Sequence, residues 1–152
     1  MGVSLQVYAV TPARLSMLRS DAGAAAEFMT QNYGDDARHD HFETLSLDKS
    51  GMGILEACGV IDQSSEPPES WVLGAGPIEA VPEQSCGALD SEQTVAVADW
   101  ISTVTDEEFA ERVESNMIDN DVEYLVGWFA TLRDFYGRTA HQGRAVLVYF
   151  SG

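Results

Sequence analysis

The fold of this chain is decided by residues 121–150, which read DVEYLVGWFATLRDFYGRTAHQGRAVLVYF. Apolar and aromatic residues recur at helical spacing up to Gln142 and cover more than one face of the predicted helix. Gly143 then supplies the left-handed conformation at which many helices end. Residues 145–150 are apolar on both faces, as is typical of a strand in the middle of a sheet. We therefore predict that this segment is built into the core.

A second strand is predicted at the other end of the chain, over residues 4–10, where side chains alternate and one face is apolar. Thr11 and Pro12 mark a helix start, because threonine caps free amides and proline suits the first helical position. The apolar residues that follow at spacings of three and four predict one helix, which Gly23 weakens in the middle. Its stripe contains Leu15, Leu18, Ala22, Ala25 and Met29.

The middle of the chain is more interrupted. Residues 32–41 and 63–70 are rich in polar and turn-forming residues, and both are predicted to be surface loops. Between them, ordered structure is predicted to resume over 45–60, with a short helix whose start is loosened by Gly51 and Gly53. The apolar residues that indicate this helix are Leu47, Ile54, Leu55, Cys58 and Val60. A short strand is predicted to begin at Trp71.

The second half is predicted to be mainly helical. Asp90 with Gln93, and Thr105 with Glu108, are capping-box patterns at two helix starts. Helices and a few short strands in irregular order favour an α+β fold over a regular βαβ winding. We predict a single domain over residues 1–152, with a small mixed or antiparallel sheet that contains both terminal strands and is packed with about four to five helices.

The charge of the chain limits its partners. It has 152 residues, of which 25 are acidic and 8 are Lys or Arg, for a formal net charge of -17. Nucleic acids and anionic membranes are poor partners for such a field, whereas basic proteins, cations and cationic small molecules are favoured by complementary potentials. Solubility alone is the simpler explanation of the charge. Thr11 and Pro12 end the first apolar stretch too early for a signal peptide, so we expect a cytoplasmic protein.

Few residues carry a recognisable chemistry. Asp48 adjoins Lys49, the sole lysine, which could act as a base, form a Schiff base or clamp an anion. An ordinary surface ion pair or a helix cap is the simpler interpretation of the pair. Trp71 could belong to a binding surface or anchor the core. The sequence HDH at 39–41 has the spacing of metal ligands but is predicted to be a solvated loop, so neither a metal nor a cofactor is expected. Cys58 and Cys86 are predicted to be reduced.

Four segments carry a resemblance to a known family: LDK at 47–49, ESWVLG at 69–74, LRDFY at 132–136 and GRAVL at 143–147. Together they resemble the DUF1877, or YfbM-like, family of small bacterial proteins. The resemblance implies an α+β cytoplasmic domain whose biochemical role is not established. Similar members place a Trp and a His where this chain has Gly51 and Leu55. A site built on that pair would be absent here, whereas Asp48 and Lys49 match the family.

Two functions from different classes follow as expectations. The first is a non-catalytic acidic binding protein that docks on a basic partner and neutralises it, as small immunity proteins do. The second is an enzyme or small-ligand binder that uses Asp48 and Lys49 in a cleft near Trp71. A structural or homo-oligomeric role is a third alternative, since the sequence leaves the oligomeric state open.

Overall fold

The centre of the protein is a six-stranded sheet in the order β2-β3-β1-β6-β5-β4, and all neighbouring strands run antiparallel. The structure is a computed structural model that describes residues 4–31, 37–38, 42–47, 49–77, 86–116, 118 and 121–151. The strands are β1 (Ser4–Val10), β2 (Ala37–Arg38), β3 (Phe42–Ser46), β4 (Gly76–Pro77), β5 (Cys86–Leu89) and β6 (Ala145–Ser151).

Helices cover both faces of this sheet. They are α1 (Pro12–Ser20), α2 (Ala22–Gln31), α3 (Gly51–Ala57), α4 (Ser91–Thr103), α5 (Asp106–Ser115) and α6 (Val122–His141), with a short 3₁₀ helix at Glu69–Trp71. Residues of α1 and α2 pack in the smaller hydrophobic cluster, and residues of α3 to α6 pack in the larger one. The predicted single-domain α+β class is confirmed, with a sheet that is antiparallel throughout. None of the described helices is long and apolar enough to cross a membrane.

Strand β6 lies between β1 and β5, which confirms the prediction that it occupies the middle of the sheet. Its side chains alternate between the two clusters: Val146 and Val148 join the larger one, and Ala145 and Leu147 join the smaller one. Strand β1 is also buried on both faces, since Tyr8 and Val10 are as inaccessible as Leu5, Val7 and Ala9. The sequence had indicated only one buried face for β1.

Helix α6 contacts α5, the segment after the 3₁₀ helix and strand β3. Its Phe129 ring stacks on Phe109 of α5 with centroids 3.9 Å apart. The Tyr136 hydroxyl donates a 2.5 Å hydrogen bond to the Val72 carbonyl, and Arg138 donates to the buried Glu43 carboxylate of β3 at 2.5 Å. The helix is followed by Gly143 at φ 67°, as predicted from the sequence.

The first predicted helix is divided in two, which raises the number of α-helices above the four to five expected. Asp21 separates α1 from α2 in an extended conformation, and its side chain accepts a 3.1 Å hydrogen bond from the Ala24 amide. An aspartate is a better N-cap than a helix-interior residue, so it starts a new helix at this point. The predicted Gly23 weak point thus lies near the observed break.

The middle of the chain differs from the predicted structure at several further positions. Leu45, at the point where ordered structure was expected to resume, lies in β3 and pairs with Val7 of β1. The predicted helix begins at Gly51, the first of the two glycines expected to loosen its start. Trp71 lies in the 3₁₀ helix rather than in a strand. The predicted loop 63–70 is irregular until Glu69, where that helix begins. Within the other predicted loop, residues 37–38 form edge strand β2, and residues 32–36 and 39–41 lie outside the described residues.

Candidate functional site

Of the sequence-predicted site residues that the structure describes, neither Lys49 nor Trp71 lines a described cavity. Lys49 is exposed in a turn before α3, and Asp48 lies outside the described residues. Trp71 is partly buried and packs on the larger hydrophobic cluster. The anchoring alternative for Trp71 therefore agrees with its position. The possible metal ligands His39 and His41 also lie outside the described residues, and the described residues contain no group of three or more metal-binding side chains.

A different group of polar residues surrounds a pocket of about 150 Å³ at the C-terminal end of α3, which we call the Cys58 pocket. It is formed where the end of α3, the following loop, the 3₁₀ helix and the end of α5 meet. Three separate segments of the chain thus supply its walls. The lining residues are Glu56, Ala57, Cys58, Gly59, Ser64, Ser65, Glu69, Arg112 and Asn116.

The loop that forms one wall is held by Gly59. This residue has φ +70°, a left-handed conformation that glycine adopts without strain. Its carbonyl accepts hydrogen bonds from the amides of Ser64 and Ser65 at 3.0 and 3.2 Å. A Cβ at position 59 would lie 2.5 Å from the Ser64 hydroxyl oxygen. Glycine therefore allows the loop to fold back against the end of α3 and to present both serines to the pocket.

An ion pair forms the opposite wall. Arg112 of α5 donates through Nη1 to Oε1 of Glu69, and the two side chains are 34% and 23% exposed. The guanidinium also lies 6.0 Å from the centroid of the Trp100 ring. The carboxylate and the aromatic ring together hold Arg112 in place, and the carboxylate offsets its charge.

The remaining polar groups of the pocket are mainly hydrogen-bond acceptors. The Ser64 hydroxyl bonds to Asp62, which lowers the pKa of that exposed carboxyl group, and its lone pairs are left for another donor. Asn116 uses its amide nitrogen to bond the Arg112 carbonyl at 2.7 Å, so its side-chain oxygen also remains an acceptor. Ser65 Oγ is buried and has no hydrogen-bond partner among the residues that the structure describes. A buried hydroxyl in that state favours a bound group or water.

Cys58 lies at the floor of the pocket and is 1% exposed. Burial raises the pKa of its thiol to about 12, with a further increase from Glu69 that Arg112 opposes. Burial also raises the pKa of Tyr136, and Cys58 contributes to that shift. The thiol is free and protonated at neutral pH, which makes it a poor nucleophile.

The raised thiol pKa predicts a loss of stability in alkali. Above pH 9.0, the ordinary value for a thiol, Cys58 ionises in the unfolded chain but not in the folded one until about pH 12. Its stabilising contribution is therefore complete below pH 9.0 and is lost as the pH rises through this window. We expect a Cys86→Ser chain to lose up to about 1.4 kcal/mol per pH unit more than a Cys86→Ser, Cys58→Ala chain. Urea unfolding at several pH values measures the difference, and parallel pH slopes for the two chains would contradict it.

Two other surface depressions are each lined by an arginine that already has partners within the protein. One, of about 360 Å³, lies at α1 and α2, where the Arg14 guanidinium is 5.2 Å from the Phe28 centroid and 5.5 Å from that of Phe42. The other, of about 550 Å³, is open and lies beside Arg133. There Arg133 donates to the carbonyls of Ile101 and Val104 and pairs with Asp106 at 3.0 Å. Neither depression, nor the Cys58 pocket, is lined by Lys49 or Trp71.

Known proteins resemble this chain over almost its whole length. The family model described as "Domain of unknown function (DUF1877)" matches residues 1–149. A solved structure, the crystal structure of a protein of unknown function, YfbM from Escherichia coli, is similar with a TM-score of 0.63 and 15% identity. The alignment covers 97% of this chain and 99% of that one, and at this identity it shows the fold alone. The search of curated proteins found no match. The resemblance noted in the sequence is thereby confirmed, and the chain belongs to the DUF1877 family.

Proposed function

We propose that this chain is a non-catalytic binding protein whose acidic surface docks on a basic protein partner and neutralises it. The observation that carries the proposal is the unequal exposure of its acidic and basic side chains. Among the described acidic residues whose burial is given, only Glu43 and Glu69 are less than exposed. Most of the negative charge on the described residues therefore lies at the surface, where a partner would meet it.

Most of the described arginines whose burial is given are held closer to the protein, although Arg19 is exposed. Arg112, Arg133 and Arg138 are each partly buried and each form an ion pair with a carboxylate. Arg14 is partly buried beside two phenylalanine rings. An approaching protein would meet exposed carboxylates more readily than these guanidinium groups. Such an arrangement favours fast association with a cationic surface and discourages association with an anionic one.

Helix α5 offers the densest acidic surface among the described elements. Its exposed side chains include Asp106, Glu107, Glu108, Glu111 and Glu114. The acids of the first turn also stabilise the positive end of the helix, but Glu111 and Glu114 lie beyond that turn. Helix stability therefore explains only part of the pattern, and we propose α5 as part of the docking surface. We place the encounter in the cytoplasm, where thiols such as the free Cys58 stay reduced.

Salt-dependent capture tests this proposal. We expect the immobilised chain to retain one or more basic proteins from native lysate at about 50 mM salt and to release them at about 500 mM, because salt screens exposed charges. Glu111→Gln should weaken retention more than Asp21→Asn, which removes one charge on the other side of the sheet and keeps a good N-cap. Retention of no basic protein, or retention that salt does not change, would overturn the proposal.

The alternative function, an enzyme or small-ligand binder at Asp48 and Lys49, stays a prediction. Lys49 is exposed, and Trp71 is occupied in packing. No described contact between the two favours it.

A further inference from the structure

We propose that the Cys58 pocket binds the ammonium group of a lysine side chain that the basic partner carries. This inference rests on the proposed function for the source of the lysine, whereas the affinity of the pocket for an alkylammonium group rests on its own geometry. It assigns to the pocket a ligand with several hydrogen-bond donors, one positive charge and an apolar stem.

The donor and acceptor balance of the pocket selects such a ligand. The lining residues Glu56, Glu69, Ser64, Ser65 and Asn116 all carry side-chain oxygens that can accept hydrogen bonds. On the donor side, one N–H group of Arg112 already donates to Glu69 while its others stay available, and the Ser64 hydroxyl bonds to Asp62. An ammonium group has three donors and no acceptor, so it satisfies a wall of this kind. The Ser65 hydroxyl oxygen is buried and has no hydrogen-bond partner among the described residues, so a rotation of this side chain into the pocket would let it accept from the ligand.

The charge of the pocket has the matching sign. Glu56 and Glu69 supply two carboxylates against the single guanidinium of Arg112. Because Arg112 is paired with Glu69 and lies near the Trp100 ring, the excess charge that faces a ligand is negative. A carboxylate or phosphate ligand would have to displace Glu69 from Arg112 and approach Glu56. The pocket therefore favours a cation over an anion.

The size of the pocket favours a compact group. A volume of about 150 Å³ exceeds what a single water needs, and it suits an ammonium group with the end of its alkyl stem. Ala57 and Cys58 provide less polar surface at the floor, and the Cys58 thiol stays neutral because its pKa is raised to about 12. A lysine inserted here would add a specific contact to the otherwise long-range attraction of the acidic surface.

A titration of the whole chain with n-butylammonium chloride tests the pocket directly. We expect saturable shifts of the amide resonances of Gly59, Ser64, Ser65 and Asn116 at millimolar concentrations. Sodium chloride at matched ionic strength and sodium butyrate should not produce them. The proposal is overturned if the shifts fail to saturate, if sodium chloride or sodium butyrate reproduces them, or if they fall on other parts of the chain.

Two substitutions connect the binding to named groups. Glu69→Gln and Ser65→Ala should each weaken n-butylammonium binding, by about tenfold for the loss of a charged acceptor and less for the hydroxyl. Ser65→Ala remains informative if Glu69→Gln destabilises the fold by releasing Arg112. Asp21→Asn removes a charge elsewhere and should leave the binding within about twofold. Equal binding in the parent and both pocket variants would overturn the assignment.

The failure of this inference is distinguishable from the failure of the proposed function. If basic partners are captured in a salt-dependent way, but equally well by the parent and Ser65→Ala chains, the proposed function is supported and the lysine site is rejected. Saturable n-butylammonium binding without a captured basic protein would reject the function and indicate a free amine as the ligand. Acetylation of the lysines of a captured partner should abolish its dependence on Ser65, which supports a protein source.

Discussion

A chain that ends at Gly143 is expected to lose cooperative unfolding and to accumulate as unfolded or insoluble protein. The deletion removes β6, which separates β1 from β5 in the sheet. Residues 145–148 of this strand are 0% exposed. Each buried Val or Leu contributes about 1.5–3 kcal/mol, and the unfolding free energy of a whole domain is only about 5–15 kcal/mol.

The loss extends beyond the side chains of β6. Without it, β1 and β5 each expose an unpaired edge, and such edges promote aggregation. The larger and the smaller hydrophobic clusters both lose members. Circular dichroism during heating measures the effect, with a chain that ends at Ser151 as the control that retains β6. A soluble fragment ending at Gly143 that melts cooperatively would contradict the assigned role of β6.

The sequence predicted the elements whose signals are local and strong. Strand β6 is apolar at every position that faces the core, α6 has a long aromatic pattern, and α4 begins with a capping box that the structure contains. The proline and threonine at the start of α1 also gave the correct helix start. In these elements local propensity and tertiary packing favour the same structure.

The missed elements depend on distant partners. Strand β5 has the sequence CGAL, which has little strand propensity of its own and is ordered by pairing with β6. Strand β3 is similarly held by β1, and its Glu43 is buried because Arg138 arrives from α6. A single sequence does not indicate these pairings, so strand β3 was not predicted, although the short helix that follows it was.

The Cys58 pocket could not be predicted from patterns in the sequence either. Glu69 and Arg112 are 43 positions apart, and only the packing of the 3₁₀ helix near α5 brings them into contact. One local signal was available, because Gly59 directly after a short helix marks a left-handed C-terminal residue. That signal locates the loop but not its ligand. The chemistry predicted for Asp48 and Lys49 rested on their adjacency in the sequence, and adjacency does not indicate whether two residues line a cavity.

The substitution Phe129→Ala is expected to give the largest loss of stability of any single substitution discussed here, about 3–5 kcal/mol. Phe129 is 0% exposed at the junction of α4, α5 and α6. Its ring stacks on Phe109 at 3.9 Å, meets the edge of Trp100 at 6.5 Å and lies 5.4 Å from the Arg133 guanidinium. Alanine would leave a cavity that three helices cannot close without moving their backbones.

The effect should also reach the polar walls that these helices support. Arg133 would lose the ring below its guanidinium, and Trp100, which lies beside Arg112 of the Cys58 pocket, would lose its edge contact. Urea unfolding gives the free energy, with exposed Thr131→Ala on the same helix as a control that should change it by less than about 0.5 kcal/mol. If Phe129→Ala costs no more than the control, the α5 contact is not part of the cooperative core. If it costs the full amount and also weakens n-butylammonium binding in the folded variant, the helical layer orients the pocket as well as stabilising the fold.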